Sequence, residues 1–431
     1  MAKKQRISLI TLGCDKNTVD SEVVLAQLER DGFEISDSPG DADIAVINTC
    51  GFIEAAKKES IETILSAVEL KRLGRLRRVV VMGCLSERYK KDLQREIPEV
   101  DVYVGANKMD RVLQALGVDL KYELLGERSL TTPRHFAYMK ISEGCDNPCS
   151  FCAIPLMRGK HASRPLESLV REAESLAARG VRELILIAQD SSSYGVDLYG
   201  KRTLAGLLGR LGNVEGIEWL RLMYVYPASF PLDVLEQYGS NPKLCRYMDI
   251  PIQHIAGSVL RSMRRGMSSQ ATRRLLDTIR SAVPEIVLRT SVMVGYPNES
   301  ETEFNELLDF VKEGYFDRLG VFTYSREDDT AAYPLGDPVA AEVKEERHDR
   351  IMEAQREVSL RKNQTFIDRQ LKVLIDRCEE LTAFGRTEFD APEIDNEVVV
   401  APRGSIREGE LHSVTITHAE EYDLYAAPNI A

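Results

Sequence analysis

Three short apolar runs rich in β-branched residues open the chain: ISLITLGC (7–14), DIAVINTC (43–50) and RVVVMGC (78–84). A helical pattern follows each, over 19–31, 54–72 and 85–96, and this alternation predicts a parallel α/β sheet. After a polar connection near 119–134 the alternation resumes. Strand candidates are HFAYMKIS (135–142), ELILIAQ (183–189), WLRLMYV (219–225), YMDIPI (247–252), IVLRTSVMVG (286–295) and RLGVFTY (318–324), with helical patterns at 166–179, 268–282 and 300–314 among others. Six such units with right-handed crossovers predict an incomplete (β/α)6 barrel, whose reacting groups belong at the carboxyl ends of its strands. The charged stretch 336–363 reads as one long helix with Asp337 as N-cap and Pro338 in its first turn. From about 367, short runs such as QLKVLIDRC and NEVVVAP, spaced by glycine turns, predict a small antiparallel β-barrel. Domains are expected over 5–118, 131–366 and 367–431.

Composition narrows the class without fixing the chemistry. The 431 residues are 43% hydrophobic and 29% charged, as in an ordinary soluble globular protein. No apolar run reaches the length of a membrane span, and the start MAKKQRISLITLGC has no signal-like apolar core, so a cytoplasmic protein is expected. The net charge of −12 argues against a generic nucleic-acid binder. Much of it comes from 368–431, where 14 acidic and six basic side chains leave −8.

Eight cysteines are too sparse for a disulfide scaffold, and clustered thiols in a reducing compartment point to metal or redox chemistry. Cys14, Cys50 and Cys84 each end one of the first three predicted strands. Ligands of open α/β sheets sit beyond the carboxyl ends of strands, so these three are expected to converge. A second trio, Cys145, Cys149 and Cys152 in GCDNPCSFC, follows the first strand of the barrel series. Three thiolates with no fourth suit a cubane iron–sulfur cluster that keeps one iron open. The alternative is a closed zinc site, for which His161 is the one nearby candidate to complete the set. Cys245 and Cys378 lack such context and read as structural.

The loop resembles the signature of the radical S-adenosylmethionine (SAM) superfamily, including the aromatic Phe151 just before the last cysteine. The resemblance implies a 4Fe–4S cluster on Cys145, Cys149 and Cys152, with SAM bound at its open iron. TLGCDKNTVDSE, NTCGFIEAAKKESIE and VVMGCLSERY resemble the amino-terminal domain of the methylthiotransferases, and the terminal strands resemble their TRAM domain. This implies a second 4Fe–4S cluster on Cys14, Cys50 and Cys84 that carries the sulfur to be inserted. It also implies that Gln189 and Asp190 contact the SAM amino-acid moiety, or else cap a strand-to-helix loop. Gly295, in RTSVMVGYPNES, is implied to let the backbone approach adenosine, with a plain tight turn as the alternative. Arg158, Lys160 and Arg164 are expected either to counter the charge of cluster and carboxylate or to form a solvated basic face.

Within that family, IAQDSSSYGVDLYG and YVYPASFPLDVL are similar to the RimO-type branch, which modifies an aspartate of small-subunit ribosomal protein twelve. Asp329 stands where a glycine is often seen in the family. An acidic terminal barrel would repel tRNA but suits a basic ribosomal protein, free or within the small subunit. The expected activity is therefore methylthiolation of the aspartate β-carbon, with SAM, two 4Fe–4S clusters and an electron donor. A tRNA adenosine methylthiotransferase and a non-catalytic iron–sulfur scaffold or electron-transfer protein are the alternatives.

Overall fold

The structure, a computed structural model, describes residues 5–121 and 127–429. The described chain packs as two compact units. The first holds the described residues through Thr131 together with Tyr138–Asp146 and Cys152–Ser175. Its sheet runs in the order β2-β1-β3-β4-β5, from β1 (Arg6–Thr11), β2 (Glu34–Ile35), β3 (Ile44–Thr49), β4 (Arg78–Gly83) and β5 (Val102–Tyr103). All its pairs are parallel.

Successive side chains of β3 and β4 enter opposite cores. Val46 and Val80 pack with Val24 and Leu28 of helix α1 (Asp15–Arg30) on one face. Ile47 and Val81 pack with Ile64 of helix α2 (Glu54–Arg72) and Leu85 of helix α3 (Cys84–Glu96) on the other. Burial on both faces explains why these strands read as continuous apolar runs. Helix α4 (Met109–Ala115) completes the first face with Val112 and Leu113.

Strand β6 (Phe136–Lys140) is followed by a short ribbon of β7 (Ser142–Glu143) and β8 (Ala162–Ser163), which closes the cysteine loop at its neck. Helix α5 (Ile154–Arg158) follows Cys152, and Ala153, Ile154 and Met157 pack on Cys84 and Ala106.

The second unit contains Thr132–Ala137, Asn147–Phe151 and the described chain from Leu176 onward. The six strands β6, β9 (Glu183–Ile187), β10 (Trp219–Leu222), β11 (Leu244–Asp249), β12 (Val287–Val294) and β13 (Arg318–Thr323) lie side by side in chain order. Pairing from β9 to β13 is parallel throughout. Sequential order in a twisted parallel sheet gives the wall of an incomplete barrel. Helix Glu301–Lys312 opens with a capping box of Ser300 and Glu303.

The long helix begins later than the sequence suggests, at Ala341, with Ala340 as N-cap. Asp337 does not cap it. Its carboxylate instead pairs with Lys344, one of whose protons also goes to the Tyr324 carbonyl.

Strands β14 (Gln370–Cys378), β15 (Ala383–Arg386), β16 (Glu397–Val400), β17 (Leu411–Ala419) and β18 (Asp423–Pro428) close the terminal barrel. Its pairs are antiparallel except one, because β18 returns beside β16 in the same direction. Beneath it Glu183 accepts from Arg221 at 2.7 Å and Arg386 at 2.8 Å, while Arg386 also binds Asp376. Burial alone would raise the Glu183 carboxyl, but the two guanidinium groups hold it below the ordinary range.

Candidate functional site

Each cysteine of the first trio stands where a strand of the first unit gives way to its helix. Cys14 is the N-cap of α1, Cys50 follows β3, and Cys84 opens α3 after Gly83. Gly13 has φ +89°, and a Cβ there would lie 2.6 Å from the Cys50 Cβ and 2.9 Å from its sulfur. Only glycine admits this approach of the first cysteine loop to the second. The carboxyl ends are stitched by side chains: Asn17 donates to the Leu12 carbonyl at 2.7 Å, and Asn48 donates to the Asn17 carbonyl and Ser21 Oγ at 3.0 Å. Ser60 holds Cys50 from both sides, accepting from its N–H at 3.1 Å and donating to its carbonyl at 2.9 Å.

Cys50 and Cys84 are buried and Cys14 is exposed. The three lie within electrostatic reach of one another, and burial pushes the Cys84 thiol up to about 11 against the pull of Arg158. The sulfur is therefore protonated without a metal, and a bound metal displaces that proton. Among the described residues no three His, Cys, Asp or Glu side chains are gathered tightly enough for a single ion. Three thiol donors with no fourth are the donor set that a cubane cluster with one open iron requires.

Arg158 resolves one ambiguity of the sequence. It is only 4% exposed, and its Nε donates to the Cys84 sulfur at 3.2 Å. Nη1 donates to Asp20 at 2.6 Å and to Asn107 and Glu143 at 3.2 Å, while Nη2 donates to Asn17. Lys140 pairs with the same two carboxylates. Burial would raise the Asp20 carboxyl, but Lys140 and Arg158 hold it below its usual range. The arginine that follows the second trio in sequence thus serves the first. Lys160 is exposed, and Arg164 pairs with buried Glu172 at 2.6 Å, a structural contact.

The ends of the loop are set within the first unit. Gly144 has φ +74°, and a Cβ there would collide with the Lys160 carbonyl at 2.1 Å. The Cys145 N–H donates to the Gly159 carbonyl at 3.1 Å, and His161 Nε2 pairs with Ser163 Oγ at 3.0 Å.

The middle of the loop is anchored in the second unit. Ser150 donates to the Ser262 carbonyl at 2.8 Å and meets Tyr296 Oη at 2.9 Å, and its carbonyl accepts from Ala332 at 2.7 Å. Phe151 packs on Ala256, Met263, Tyr296 and Tyr324, which explains an aromatic at this position by packing. Arg265, 5% exposed, donates from Nη1 to the Cys149 sulfur at 3.3 Å and stacks on Tyr226, 4.4 Å from its ring centre. Sequence reading missed both Arg265 and Tyr226, which lie far from the loop in the chain and belong to no spacing motif.

Asp190 caps the short 3-10 turn Ser191–Ser193, accepting from the Ser192 N–H at 2.9 Å, and takes the Asn147 amide at 2.8 Å. Half-buried Gln189 lies just beyond β9. Gly295 has φ +74° and its N–H donates to Glu299 at 3.0 Å. The space over it is filled by the stem of Lys344, whose Cγ is 2.4 Å from where a Cβ would stand. Close approach of protein thus already accounts for the glycine.

Residues 6–105 match the uncharacterized protein family UPF0004, 139–311 the radical SAM superfamily and 367–428 the TRAM domain. The chain is 53% identical to the ribosomal protein uS12 methylthiotransferase RimO of Christiangramia forsetii, covering 99% of this chain and 95% of that one. It is 52% identical to RimO of Flavobacterium johnsoniae, over 99% and 98% of the two chains. The chain belongs to the RimO family of methylthiotransferases. Its family assignment makes it a SAM-dependent transferase of the radical SAM superfamily. Among solved structures, the radical SAM methyltransferase TsrM of Kitasatospora setae shares the fold, with TM-score 0.54, 15% identity and 77% of each chain covered. The cobalamin-dependent SAM radical enzyme OxsB shares it at TM-score 0.52 and 13% identity, over 80% of this chain and 56% of that one. Among the described residues of this RimO-family chain, no helix is long and apolar enough to cross a membrane.

Proposed function

We propose that this chain methylthiolates the β-carbon of an aspartate in ribosomal protein uS12, acting in the cytoplasm. The observation that carries the reading is near-complete coverage, at about half identity, of relatives named uS12 methylthiotransferases, by a chain that carries both cysteine trios. In this reading Cys145, Cys149 and Cys152 hold one 4Fe–4S cluster and Cys14, Cys50 and Cys84 a second. A cluster held by Cys145, Cys149 and Cys152 would, once reduced, supply the one-electron chemistry for cleaving SAM and so for removing the β-hydrogen.

The protein's own part is to hold, orient and exclude water. Ser150 and Phe151 fix the loop through hydrogen bonds and packing, and Arg265 directs the Cys149 sulfur. Gln189 contributes to SAM binding, while Asp190 and Gly295 act indirectly, by shaping the strand-end loops that they cap and turn. The domains 5–118, 131–366 and 367–431 divide the work: sulfur supply, radical formation and substrate docking. The excess of acid in 368–431 favours a basic protein substrate over tRNA, because like charge opposes phosphate contact. A separate electron donor is required.

The test is a paired mass-spectrometric comparison of digested ribosomal proteins and tRNA nucleosides, with and without the gene. Loss of a methylthio group from a uS12 aspartyl peptide, with tRNA unchanged, is expected. Loss of a methylthioadenosine would instead transfer the activity to tRNA.

A further inference from the structure

We propose that Arg158 is a positioning residue of the strand-end cysteine site, fixing the Cys84 sulfur and setting the reduction potential of the cluster that the trio holds. The proposal rests on the ligand assignment made above. A buried arginine kept only for stability needs carboxylate partners, and Arg158 has two. Its remaining geometry goes further. With Nη1 on Asp20, Asn107 and Glu143 and Nη2 on Asn17, the planar fork has one orientation, and in it the Nε–H points at the Cys84 sulfur. Helix α5 is itself fixed against the cysteine, since Ala153 and Met157 share a core with Cys84.

Charge decides the direction of the effect. Asp20 and Glu143 balance Arg158 and Lys140, so this quartet is formally neutral. Replacing the arginine by a neutral residue removes a hydrogen bond to sulfur and one positive charge beside it. Both changes disfavour adding an electron to the cluster, so its potential falls. Lysine keeps the charge but has no fork, and it cannot hold Asp20 and the sulfur in one geometry.

The experiment uses the full chain with Cys145→Ala, Cys149→Ala and Cys152→Ala, so that only strand-end iron is read. Iron content, a reductive titration followed by electron paramagnetic resonance, and the urea midpoint are measured with and without Arg158→Gln or Arg158→Lys. The expected result for Arg158→Gln is a potential more negative by about 59 mV, a tenfold change in the one-electron equilibrium. Arg158→Lys should move it less, in the same direction. Loss of iron from either variant at an unchanged urea midpoint also supports the proposal, because the sulfur is then no longer fixed. An unchanged potential in a folded, iron-loaded variant overturns it, and so does unfolding of both variants, which would make Arg158 a structural ion pair. If the parent without loop cysteines holds no iron, the ligand assignment falls as well; if it holds iron that Arg158 does not influence, only this proposal falls.

Discussion

Arg158 and Arg265 are both buried and each donates to a cysteine sulfur, yet their surroundings are opposite. Arg158 sits among Asp20, Glu143 and Lys140, so the protein has already neutralised it. Arg265 lies on the Tyr226 ring and donates to the Pro251 carbonyl, and among the described residues no carboxylate pairs with it. The loop site therefore keeps a cation available for whatever negative charge arrives, whereas the strand-end site offers a directed hydrogen bond at no net charge. A third arrangement, Arg221 and Arg386 on Glu183, is as deeply buried, and among the described residues neither arginine donates to a sulfur. Burial of an arginine says little by itself. Its partner separates a structural role from a functional one.

The largest effects come from removing the sulfurs. Cys145→Ala should abolish 5′-deoxyadenosine formation from SAM under reducing conditions, and persistence of that product would sink the loop assignment. Replacing Cys14, Cys50 and Cys84 together should spare SAM cleavage, stop methylthiolation of uS12 and halve the bound iron. Continued methylthiolation would refute the division of labour between the two sites. Next comes the uncompensated cation. Arg265→Gln should slow SAM cleavage by roughly 10- to 100-fold, as loss of an outer-shell partner typically does. Its urea midpoint should hardly move, because no carboxylate is left unpaired; a large stability loss with normal cleavage would place Arg265 with the structural arginines.

How much of this was legible in the sequence depends on how far apart the partners lie in the chain. The loop trio is local, and its spacing alone proposes it. The placement of Cys14, Cys50 and Cys84 at strand-to-helix junctions was legible because each ends a β-branched run. Arg158, Lys160 and Arg164 looked alike as a basic stretch. Only the packing of α5 on Cys84 separates the first, and that contact joins residues 74 positions apart. Arg265 carries no local signal at all. Gly295 was read either for backbone approach to adenosine or for a tight turn, and nothing in the sequence signals that the Lys344 stem packs over it from a distant helix. Asp337 looked like an N-cap, yet its carboxylate is drawn to Lys344 and the helix starts beyond it. The parallel seam of the terminal barrel was equally hidden, since strand direction at closure is set by the return path of β18 and not by the residues within it.

The structural arginines provide a stability control. Glu183→Ala leaves Arg221 and Arg386 buried without their shared carboxylate, although Arg386 keeps Asp376. Breaking a buried pair in this way costs about 3–5 kcal/mol. Urea unfolding should show that loss, while the iron retained per folded molecule stays at the wild-type value. A fall in iron per folded molecule would mean that this network also supports a cluster site, and the contrast with Arg158 would fail.

The smallest expected effect lies in the pH dependence of the same network. The Glu183 carboxyl is held low by Arg386 and Arg221, and the Asp376 carboxyl is held low by His135 and Arg386, each against the opposing pull of burial. A carboxyl depressed in the folded state stabilises fully above its unfolded value, about 4.3 for glutamate, and loses that contribution as pH falls through the folded value. The difference in unfolding free energy between wild type and Glu183→Gln should therefore be constant from pH 7 to 5 and shrink below about 4.3. Comparing the two proteins cancels the other carboxylates, which titrate in both. A difference that instead grew as the solution became more acid would show that burial outweighs the guanidinium groups, and the network would then be a cost that the fold tolerates for another reason.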